Sequence, residues 1–431
     1  MDDPRNISSL GGTRDNSLSF RQVLSALPFF LALFASTLSA QYTAIESIGR
    51  MAPVDEEPYR PFVFGVIYLL AAIVVLLNMR RLVDVLRHHS TYLLFLTYAL
   101  ASAIWSEYPL KVLITWGHLV GSVLIALSVV FVYEGKDKSL FKTIVIYAAI
   151  SITISIVVVL FFPSRGIMDV DGKLRWVGLT ATSNTLGIIA MISVWASAVY
   201  FLYVRKVREK IFLSLLIVAS AVCLYGSDSI TASVLALAAF FFVPTFKYVA
   251  GKTPAQMFMI SISALFLMTV CIFTAYVIAP NIFDVVKLLN LMGRDTTFTG
   301  RTTLWDIAVS AIADKPILGW SFDALMSLSA KYRIHYGQFH DGYLDLLVRG
   351  GWVGMLFIIF MVITVSRNLS KVAKINAKLF AGLGVLLIIV LVHNVTEASL
   401  GKSPSIIWLL FTLMYFYLGK NTKRNLEIEP Y

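Results

Sequence analysis

Residues 144–162 read IVIYAAISITISIVVVLFF, a run without a single charged side chain. A helix needs about 20 mainly apolar residues to cross the hydrocarbon core of a bilayer. The run therefore predicts a membrane-spanning helix, which we place at 140–162. Eleven further segments of the chain meet the same criterion: 22–41, 61–79, 90–106, 111–133, 184–203, 211–227, 229–246, 256–280, 351–367, 378–398 and 403–419.

The composition agrees with this large number of spans. Hydrophobic residues make up 58% of the 431 residues and charged residues 14%, whereas a soluble domain has about 45–50% and about 25%. Too little polar surface would remain to cover so large an apolar core in water. We therefore predict an all-α polytopic membrane protein with about 12 transmembrane helices. Soluble enzymes, nucleic-acid-binding proteins and disordered scaffolds are excluded, so no nucleic acid is expected as a partner.

The distribution of Lys and Arg predicts the orientation, because basic residues accumulate in cytoplasmic loops. With a cytoplasmic amino terminus, the inner segments hold 22 of the 36 basic and 9 of the 25 acidic residues, which gives +13 inside and −2 outside. Both termini are then cytoplasmic. We divide the chain into 1–280 with nine spans, a large outer loop at 281–350, and 351–431 with three spans and a cytoplasmic tail.

Polar and charged residues suited to binding or catalysis gather on the outer side. Besides the charged loop 163–184, the Thr396-Glu397 pair follows the eleventh span. In the large loop, apolar residues from Leu304 onward follow helical spacing and predict an amphipathic helix that starts near Thr303. Arg301 lies just before this start, where free backbone N–H groups and a guanidinium would favour an anion such as phosphate. Pairing of Arg301 with a nearby carboxylate is the alternative.

The connector 331–343 concentrates cations, aromatic residues and two histidines. Histidine titrates near neutral pH, with a reference pKa of about 6.5, so His340 is a candidate general base. On residue type alone, a helix-capping or surface role for His340 is favoured over the catalytic one. The aromatic side chains of this loop can stack against sugar rings or serve as packing residues; they are Trp320, Tyr332, Tyr336 and Phe339. The two cysteines, Cys223 and Cys271, lie in apolar runs, so no Cys-based metal site is expected.

Four elements of the outer loop occur in a characteristic order. They are Thr299-Gly300-Arg301-Thr302-Thr303-Leu304-Trp305, Lys315-Pro316-Ile317-Leu318-Gly319-Trp320, His340-Asp341-Gly342-Tyr343-Leu344 and Gly350-Gly351-Trp352-Val353-Gly354. Together they resemble the "GR…W", "P-I-L-G-x-G" and "H-N-x-x-L…G-x-x-G" elements of the O-antigen polymerase/ligase family. Two earlier segments resemble that family as well: Trp105-Ser106-Glu107-Tyr108-Pro109, and Leu174-Arg175-Trp176-Val177-Gly178 with Asn184.

The chain departs from the family pattern at four positions. Asp341 replaces the usual Asn after the histidine, Ser321 replaces a Gly, Ser183 replaces a Pro, and Ile230 stands where an Arg is frequent. The first two resemble variants of exopolysaccharide repeat-unit polymerases of the succinoglycan (ExoQ-like) type. This likeness favours a polymerase over a ligase.

The resemblance implies a GT-C-like membrane fold and a location in the bacterial inner membrane, with the active site and the loop 281–350 facing the periplasm. It implies transfer of a glycan from undecaprenyl diphosphate to an acceptor hydroxyl, without metal ion or cofactor. Arg175 and Arg301 match the family arginines and would stabilise the diphosphate leaving group. His340 matches the family histidine and would act as the base, with Asp341 able to hold its imidazole.

Further substrate contacts are expected from residues near these three: Trp305, Arg333, Tyr336 and Glu397. The expected partners are lipid-linked oligosaccharide donor and acceptor, the bilayer, a chain-length regulator and a flippase. A ligase acting on lipid A core or protein would use the same donor chemistry, so it stays open. A lipid or solute transporter also fits twelve spans, although the spans carry few ionisable residues at their centres.

Overall fold

The computed structural model describes residues 20–37, 60–87, 89–170, 172–253, 256, 301–323, 325–332 and 338–426. The described chain is helical apart from one short hairpin and its loops. The first ten helices are α1 (Phe20–Ala35), α2 (Arg60–Leu76), α3 (Met79–Arg87), α4 (Ser90–Ala101), α5 (Pro109–Tyr133), α6 (Asp137–Phe161), α7 (Pro163–Gly166), α8 (Ser183–Phe201), α9 (Val207–Ser227) and α10 (Ile230–Val249). They are followed by α11 (Arg301–Asp314), α12 (Met326–Tyr332), α13 (Gly342–Ile375), α14 (Ala377–His393) and α15 (Ile406–Leu426).

The predicted class of an all-α polytopic membrane protein is confirmed, but the count of twelve spans is not. Six described helices, α5, α6, α8, α9, α10 and α13, are long and apolar enough to cross a membrane. The pair α2 and α3, bent by 95°, raises the count to seven. Shorter apolar helices of 10–17 residues occupy four more predicted spans, and the predicted span 256–280 lies almost wholly outside the described residues.

Helix α8 lies at the centre of the second half of the bundle. It contacts α6, α9, α10 and α14. The indole of Trp195 on α8 donates a hydrogen bond of 2.9 Å to the carbonyl oxygen of Gly382 on α14, and the hydroxyl of Ser220 on α9 donates one of 2.8 Å to Ser193 on α8. Apolar surfaces alone would not determine how these helices align along their axes. The buried hydrogen bonds fix that alignment.

The two ends of this bundle differ in chemistry. At one end lie Asn184 at the start of α8, Thr231 at the start of α10 and Glu397 after α14; the hydroxyl oxygens of Thr231 and Thr396 are 2.9 Å apart. At the opposite ends of the same helices lie basic residues. The polar residues that the sequence assigns to the outer side therefore do share one end of the bundle.

The loop after α6 contains an antiparallel hairpin, an element that the sequence analysis did not predict. Strand β1 (Ile167–Val170) pairs with β2 (Lys173–Trp176), with Val170 opposite Lys173. Gly172, the residue before β2, has a φ of +76°. Glycine is favoured in hairpin turns because their central residues need a positive φ. The sequence analysis treated residues 163–184 only as a charged loop and did not use this glycine as a turn signal.

Helix α11 confirms the amphipathic helix predicted in the large loop. It begins at Arg301, two residues before the predicted start, and contacts α13. Its apolar residues Leu304, Ala308 and Ala311 are buried in a cluster separate from the main core. The other members of this cluster come from the loop and from α13: Trp320, Leu325, Leu328, Phe339 and Val348. The cluster holds the described part of the outer loop against the end of α13.

Two glycines allow the backbone of the outer loop to dock onto α13. Gly351 interrupts α13 with φ +57° and ψ −164°, a conformation essentially restricted to glycine. A Cβ there would collide with the carbonyl oxygen of Ile317, and a Cβ on Gly319 would lie 2.5 Å from the nitrogen of Gly351. Four backbone hydrogen bonds cross this contact, among them Trp320 N to Val348 O at 2.8 Å and Trp352 N to Pro316 O at 2.9 Å. The motifs Lys315–Trp320 and Gly350–Gly354 therefore pack against each other, and we call this contact the joint between the outer loop and α13.

Candidate active site

Glu397 is the centre of the polar cluster at the outer end of the bundle. Its Oε1 accepts a hydrogen bond of 2.9 Å from the side-chain amide of Asn184 at the start of α8. Its Oε2 lies 3.3 Å from Nε2 of Gln338 and 3.3 Å from Nδ1 of His340. Three donors from two parts of the chain thus converge on one carboxylate, whose side chain is 15% exposed.

His340 lies on the connector between α12 and α13 in a strained conformation. Its φ is +52°, in the left-handed region that non-glycine residues rarely adopt. Such strain is typical of functional sites, where the surrounding structure holds a side chain in place. The side chain is 31% exposed, twice the exposure of Glu397. His340 therefore combines a fixed position with access to a ligand.

The contact with Glu397 determines which imidazole nitrogen is left for chemistry. Within the described residues, Nδ1 of His340 lies 3.3 Å from Oε2 of Glu397 and 3.2 Å from the amide Nε2 of Gln338, which can only donate. The same Gln338 Nε2 also lies 3.3 Å from Oε2 of Glu397, so Nδ1–H donates to Glu397 when the amide donates to that carboxylate too. A carboxylate that accepts from Nδ1–H favours the tautomer whose Nε2 carries a lone pair. A base with this tautomer can take a proton from a hydroxyl through Nε2, and Glu397 would stabilise the imidazolium that forms.

Asp341 does not hold the imidazole, so that expectation was wrong. Its Oδ1 accepts from the backbone N–H groups of Tyr343 at 2.9 Å and Leu344 at 2.8 Å, which makes it the N-cap of α13. Burial raises the pKa of the Asp341 carboxyl, while the two backbone hydrogen bonds act in the opposite direction. The Asn usual in the family could accept the same bonds, so the replacement preserves the cap.

The backbone beside His340 is anchored to the loop after α14. Gly342 N donates a hydrogen bond of 2.7 Å to the carbonyl oxygen of Asn394, and a Cβ on Gly342 would collide with the Asn394 side chain. The Asn394 Oδ1 in turn accepts from the backbone N–H groups of Ser399 and Leu400. Asn394 thus ties the segments carrying His340 and Glu397 to each other.

Arg175 lies on β2 at the same end of the bundle but is engaged by another carboxylate. Its Nε is 3.2 Å from Oδ2 of Asp228, and its side chain is 12% exposed. Asp228 caps the carboxyl end of α9 with a φ of +52°. Within the described residues, no ion pair or hydrogen bond joins Arg175 to His340. The structure therefore places Arg175 near the site and not in the His340–Glu397 cluster.

Arg301 is the first residue of α11. One turn later, the indole N–H of Trp305 donates a hydrogen bond of 3.1 Å to the carbonyl oxygen of Phe339. This contact places the start of α11 beside the residue before His340. Arg333 and Tyr336, the remaining predicted substrate contacts, lie outside the described residues.

Two of the aromatic residues proposed to stack on sugars are packing residues. Trp320 and Phe339 are buried in the outer-loop cluster. The ammonium groups of Lys315 and Lys331 lie 4.1 and 4.9 Å from the centroid of the Trp320 ring. Tyr332 donates a hydrogen bond of 2.7 Å to Asp314; burial and this carboxylate raise the pKa of Tyr332 to about 12.

Two buried carboxylates within residues 281–350, Asp323 and Asp345, were missed by the sequence analysis. Asp323 accepts a hydrogen bond of 3.0 Å from Ser106, so the Trp105–Pro109 motif contacts the outer loop. Asp345 pairs with Arg349 one turn later, with Nη2 2.7 Å from Oδ2. Arg349 also donates to the carbonyl oxygens of Leu400 and Gly401. Opposite charges four residues apart in an apolar helix were the available signal for this pair.

Comparison with known proteins agrees with this architecture. Residues 213–359 match the family model described as O-antigen ligase, a range that includes Arg301 and His340. The chain is 24% identical to the exopolysaccharide production protein ExoQ of Rhizobium meliloti over 373 residues, which cover 81% of this chain and 80% of that protein. It is 29% identical over 90 residues to an uncharacterised protein of Haemophilus influenzae, 19% of this chain and 23% of the other.

The family match and the extended similarity to ExoQ agree with the motif order and with the apolar helices. The protein is a multi-pass membrane protein, and these findings support its assignment to an O-antigen polymerase/ligase-type family of glycosyltransferase-like enzymes.

Proposed function

We propose that the protein polymerises undecaprenyl-diphosphate-linked oligosaccharide repeat units into exopolysaccharide or O-antigen at the periplasmic face of the bacterial inner membrane. The observation that carries the proposal is the contact of His340 Nδ1 with Glu397, at 3.3 Å, at the end of the bundle where Arg175 and the start of α11 also lie. A base and cations at one membrane surface are what transfer from a lipid diphosphate requires.

In the proposed reaction, an acceptor sugar hydroxyl attacks the anomeric carbon of the donor. The new glycosidic C–O bond forms while the bond from that carbon to the diphosphate oxygen breaks, and its electron pair leaves with the undecaprenyl diphosphate. His340 Nε2 takes the hydroxyl proton and passes it to solvent. Glu397 stabilises the imidazolium, and Arg301 and Arg175 meet the charge on the leaving diphosphate. No residue role in this scheme calls for a metal ion.

Arg175 can exchange its partner during the cycle. Its guanidinium contacts Asp228 through Nε at 3.2 Å, and the side chain of Asp228 is 37% exposed. A guanidinium has five N–H donors, so one carboxylate leaves donors for a diphosphate. We propose that Asp228 holds Arg175 in place before the donor arrives.

Ligation is the second candidate, because the matching family model is described as O-antigen ligase. The polymerase proposal is favoured by the similarity to ExoQ, which extends over most of both chains. The two activities use the same donor and differ in the acceptor. A transporter would need no base at the membrane surface, and the family match supports an enzyme.

The experiment incubates purified protein with defined lipid-linked repeat units and measures product size. We expect a ladder of lipid-linked polymers from repeat units alone. Products that form only after lipid A core or an acceptor protein is added would establish a ligase. Absence of any transferred glycan, together with lipid or solute flux in proteoliposomes, would establish a transporter and reject both enzyme proposals.

A further inference from the structure

Asn184 holds the carboxylate of Glu397 more closely than the imidazole of His340 does. Its Nδ2 donates a hydrogen bond of 2.9 Å to Oε1 of Glu397. The other oxygen, Oε2, lies 3.3 Å from Nε2 of Gln338 and 3.3 Å from Nδ1 of His340. The first distance is typical of an N–H···O hydrogen bond, and the other two lie just above the usual range. Asn184 therefore fixes one carboxylate oxygen, while the other faces the imidazole.

The chemistry of the two groups sets the direction of this hydrogen bond. An ionised carboxylate can only accept, so the amide nitrogen of Asn184, and not its oxygen, must face Glu397. The bond is made in the first turn of α8, where the helix dipole is positive. Both effects favour the charged form of Glu397, which is the form that would stabilise an imidazolium on His340.

Helix α8 gives Asn184 a fixed position. The helix begins at Ser183, and Thr182 caps its first turn by accepting a hydrogen bond of 3.2 Å from the backbone N–H of Thr185. Beyond this turn α8 packs against α6, α9, α10 and α14. A side chain on a rigid helix positions its partner more precisely than a side chain on a loop does.

The backbone that carries Glu397 is held by other contacts. Its N–H donates a hydrogen bond of 3.0 Å to the carbonyl oxygen of His393, and the hydroxyl of the preceding Thr396 lies 2.9 Å from that of Thr231 on α10. Removal of the Asn184 amide would leave these contacts in place. It would loosen the side chain of Glu397, and with it the orientation of Oε2 toward His340.

We propose that Asn184 is a positioning residue of the transfer reaction and acts through Glu397, an inference that rests on the proposed function. Asn184 holds the charged carboxylate so that Oε2 accepts from Nδ1–H of His340. This leaves the lone pair on Nε2, where the acceptor proton is taken. Asn184 acts on the carboxylate and not on the sugar or the diphosphate.

The test measures single-turnover transfer at saturating lipid-linked donor, donor affinity and the thermal unfolding midpoint of the full-length protein. Asn184→Ala removes the amide. Asn184→Asp keeps the size of the side chain but replaces the donor with a second carboxylate. The matched control is Thr182→Ala, which weakens the same end of α8 through a hydroxyl that contacts Thr185.

We expect both Asn184 variants to lose at least about tenfold in the single-turnover rate with unchanged donor affinity, because the base is misaligned and the donor is not. Asn184→Asp should lose at least as much as Asn184→Ala, since adjacent carboxylates repel each other. Thr182→Ala should keep the wild-type rate although its midpoint falls. In a Glu397→Gln background, Asn184→Ala should add little further loss, because no charged carboxylate is left to position.

Histidine ¹⁵N NMR supplies a readout that does not depend on activity. The signals of His340, identified by their loss in His340→Ala, should report the Nδ1–H tautomer in the wild type and a mixture of tautomers in Asn184→Ala. A purely structural role of Asn184 would leave the tautomer unchanged. An unchanged tautomer in both Asn184 variants would overturn the proposal.

The remaining outcomes separate this inference from the proposed function. Wild-type rates in both Asn184 variants, with wild type active, would overturn the inference alone. Weakened donor binding with an unchanged rate, an equal loss in Thr182→Ala, or a full additional loss in the Glu397→Gln background would do the same. Absence of transfer by wild type would reject the proposed function and this inference with it. If Asn184→Ala fails to fold, the isosteric Asn184→Asp supplies the same comparisons.

Discussion

At the residue scale, the function proposed here depends on how one carboxylate and one imidazole are held. The sequence identified His340 through a motif, but the partner of its imidazole was assigned to the neighbouring Asp341. The structure gives that role to Glu397, which is 57 residues away in sequence. Proximity along the chain is a poor guide here because the residue after His340 is needed to cap α13. Gln338 carried no signal of its own.

Glu397→Gln tests whether Glu397 positions the base. The change keeps the size of the side chain but removes the charge that would stabilise the imidazolium, so we expect the single-turnover transfer rate to fall at least about tenfold with little change in donor affinity. Complete loss of transfer in Glu397→Gln, with His340→Ala still active, would make Glu397 the base. Asp314→Asn, an exposed carboxylate of α11, serves as the matched control and should remain active.

Arg301→Lys tests the proposed contact with the diphosphate. A lysine keeps the charge but cannot reproduce the planar pair of N–H donors, so we expect strongly impaired polymer formation and weaker donor binding. Arg175→Ala should also reduce activity. The measurement is polymer yield at matched expression, and near-normal yield from both variants would show that neither arginine binds the donor in an essential way.

At the element scale, the sequence predicted helices far better than their interruptions. Each of the eleven predicted spans other than 256–280 contains a described helix, because a long apolar run in a bilayer has no other way to satisfy its backbone. The hairpin β1–β2 and the break at Gly351 were not predicted. Both depend on positive φ values at glycines. Gly172 lies among charged residues and Gly351 follows another glycine, and neither context reveals from the sequence what conformation the backbone adopts there.

Gly351→Ala tests the joint between the outer loop and α13. The added Cβ meets the Ile317 carbonyl and forces an unfavourable conformation, so we expect a lower thermal unfolding midpoint, equivalent to about 1–3 kcal/mol or more. Gly354→Ala is the matched control, because its nearest neighbour would be Tyr98 at an ordinary 3.7 Å. Equal midpoints for the two variants would contradict the account of this joint.

At the scale of the whole molecule, the two ends of the bundle differ in the residues that they carry. The proposed transferase residues lie at one end of α8, α10 and α14, and basic residues lie at the opposite ends of the same helices. The count of basic residues predicts that this basic end faces the cytoplasm. The sequence could predict this separation because loop charge is local, whereas the contact between His340 and Glu397 required the folded chain.

Reporter fusions test this orientation. A fusion at Gly337 should be active with a periplasmic reporter and one at Lys374 inactive, because an odd number of spans separates them in the predicted topology. A cytoplasmic reporter at the same two positions should give the complementary pattern. The reverse activities would reject the orientation and the periplasmic location of the site.

The central claim is that His340 is the base that activates the acceptor hydroxyl, and single-turnover transfer by His340→Ala at saturating lipid-linked donor tests it most directly. General-base catalysis contributes about 10²–10⁴-fold in rate, so the variant should bind donor normally and lose transfer by that factor, while His335→Ala, in the same connector, should resemble wild type. Weakened donor binding with an unchanged single-turnover rate in His340→Ala would contradict the claim.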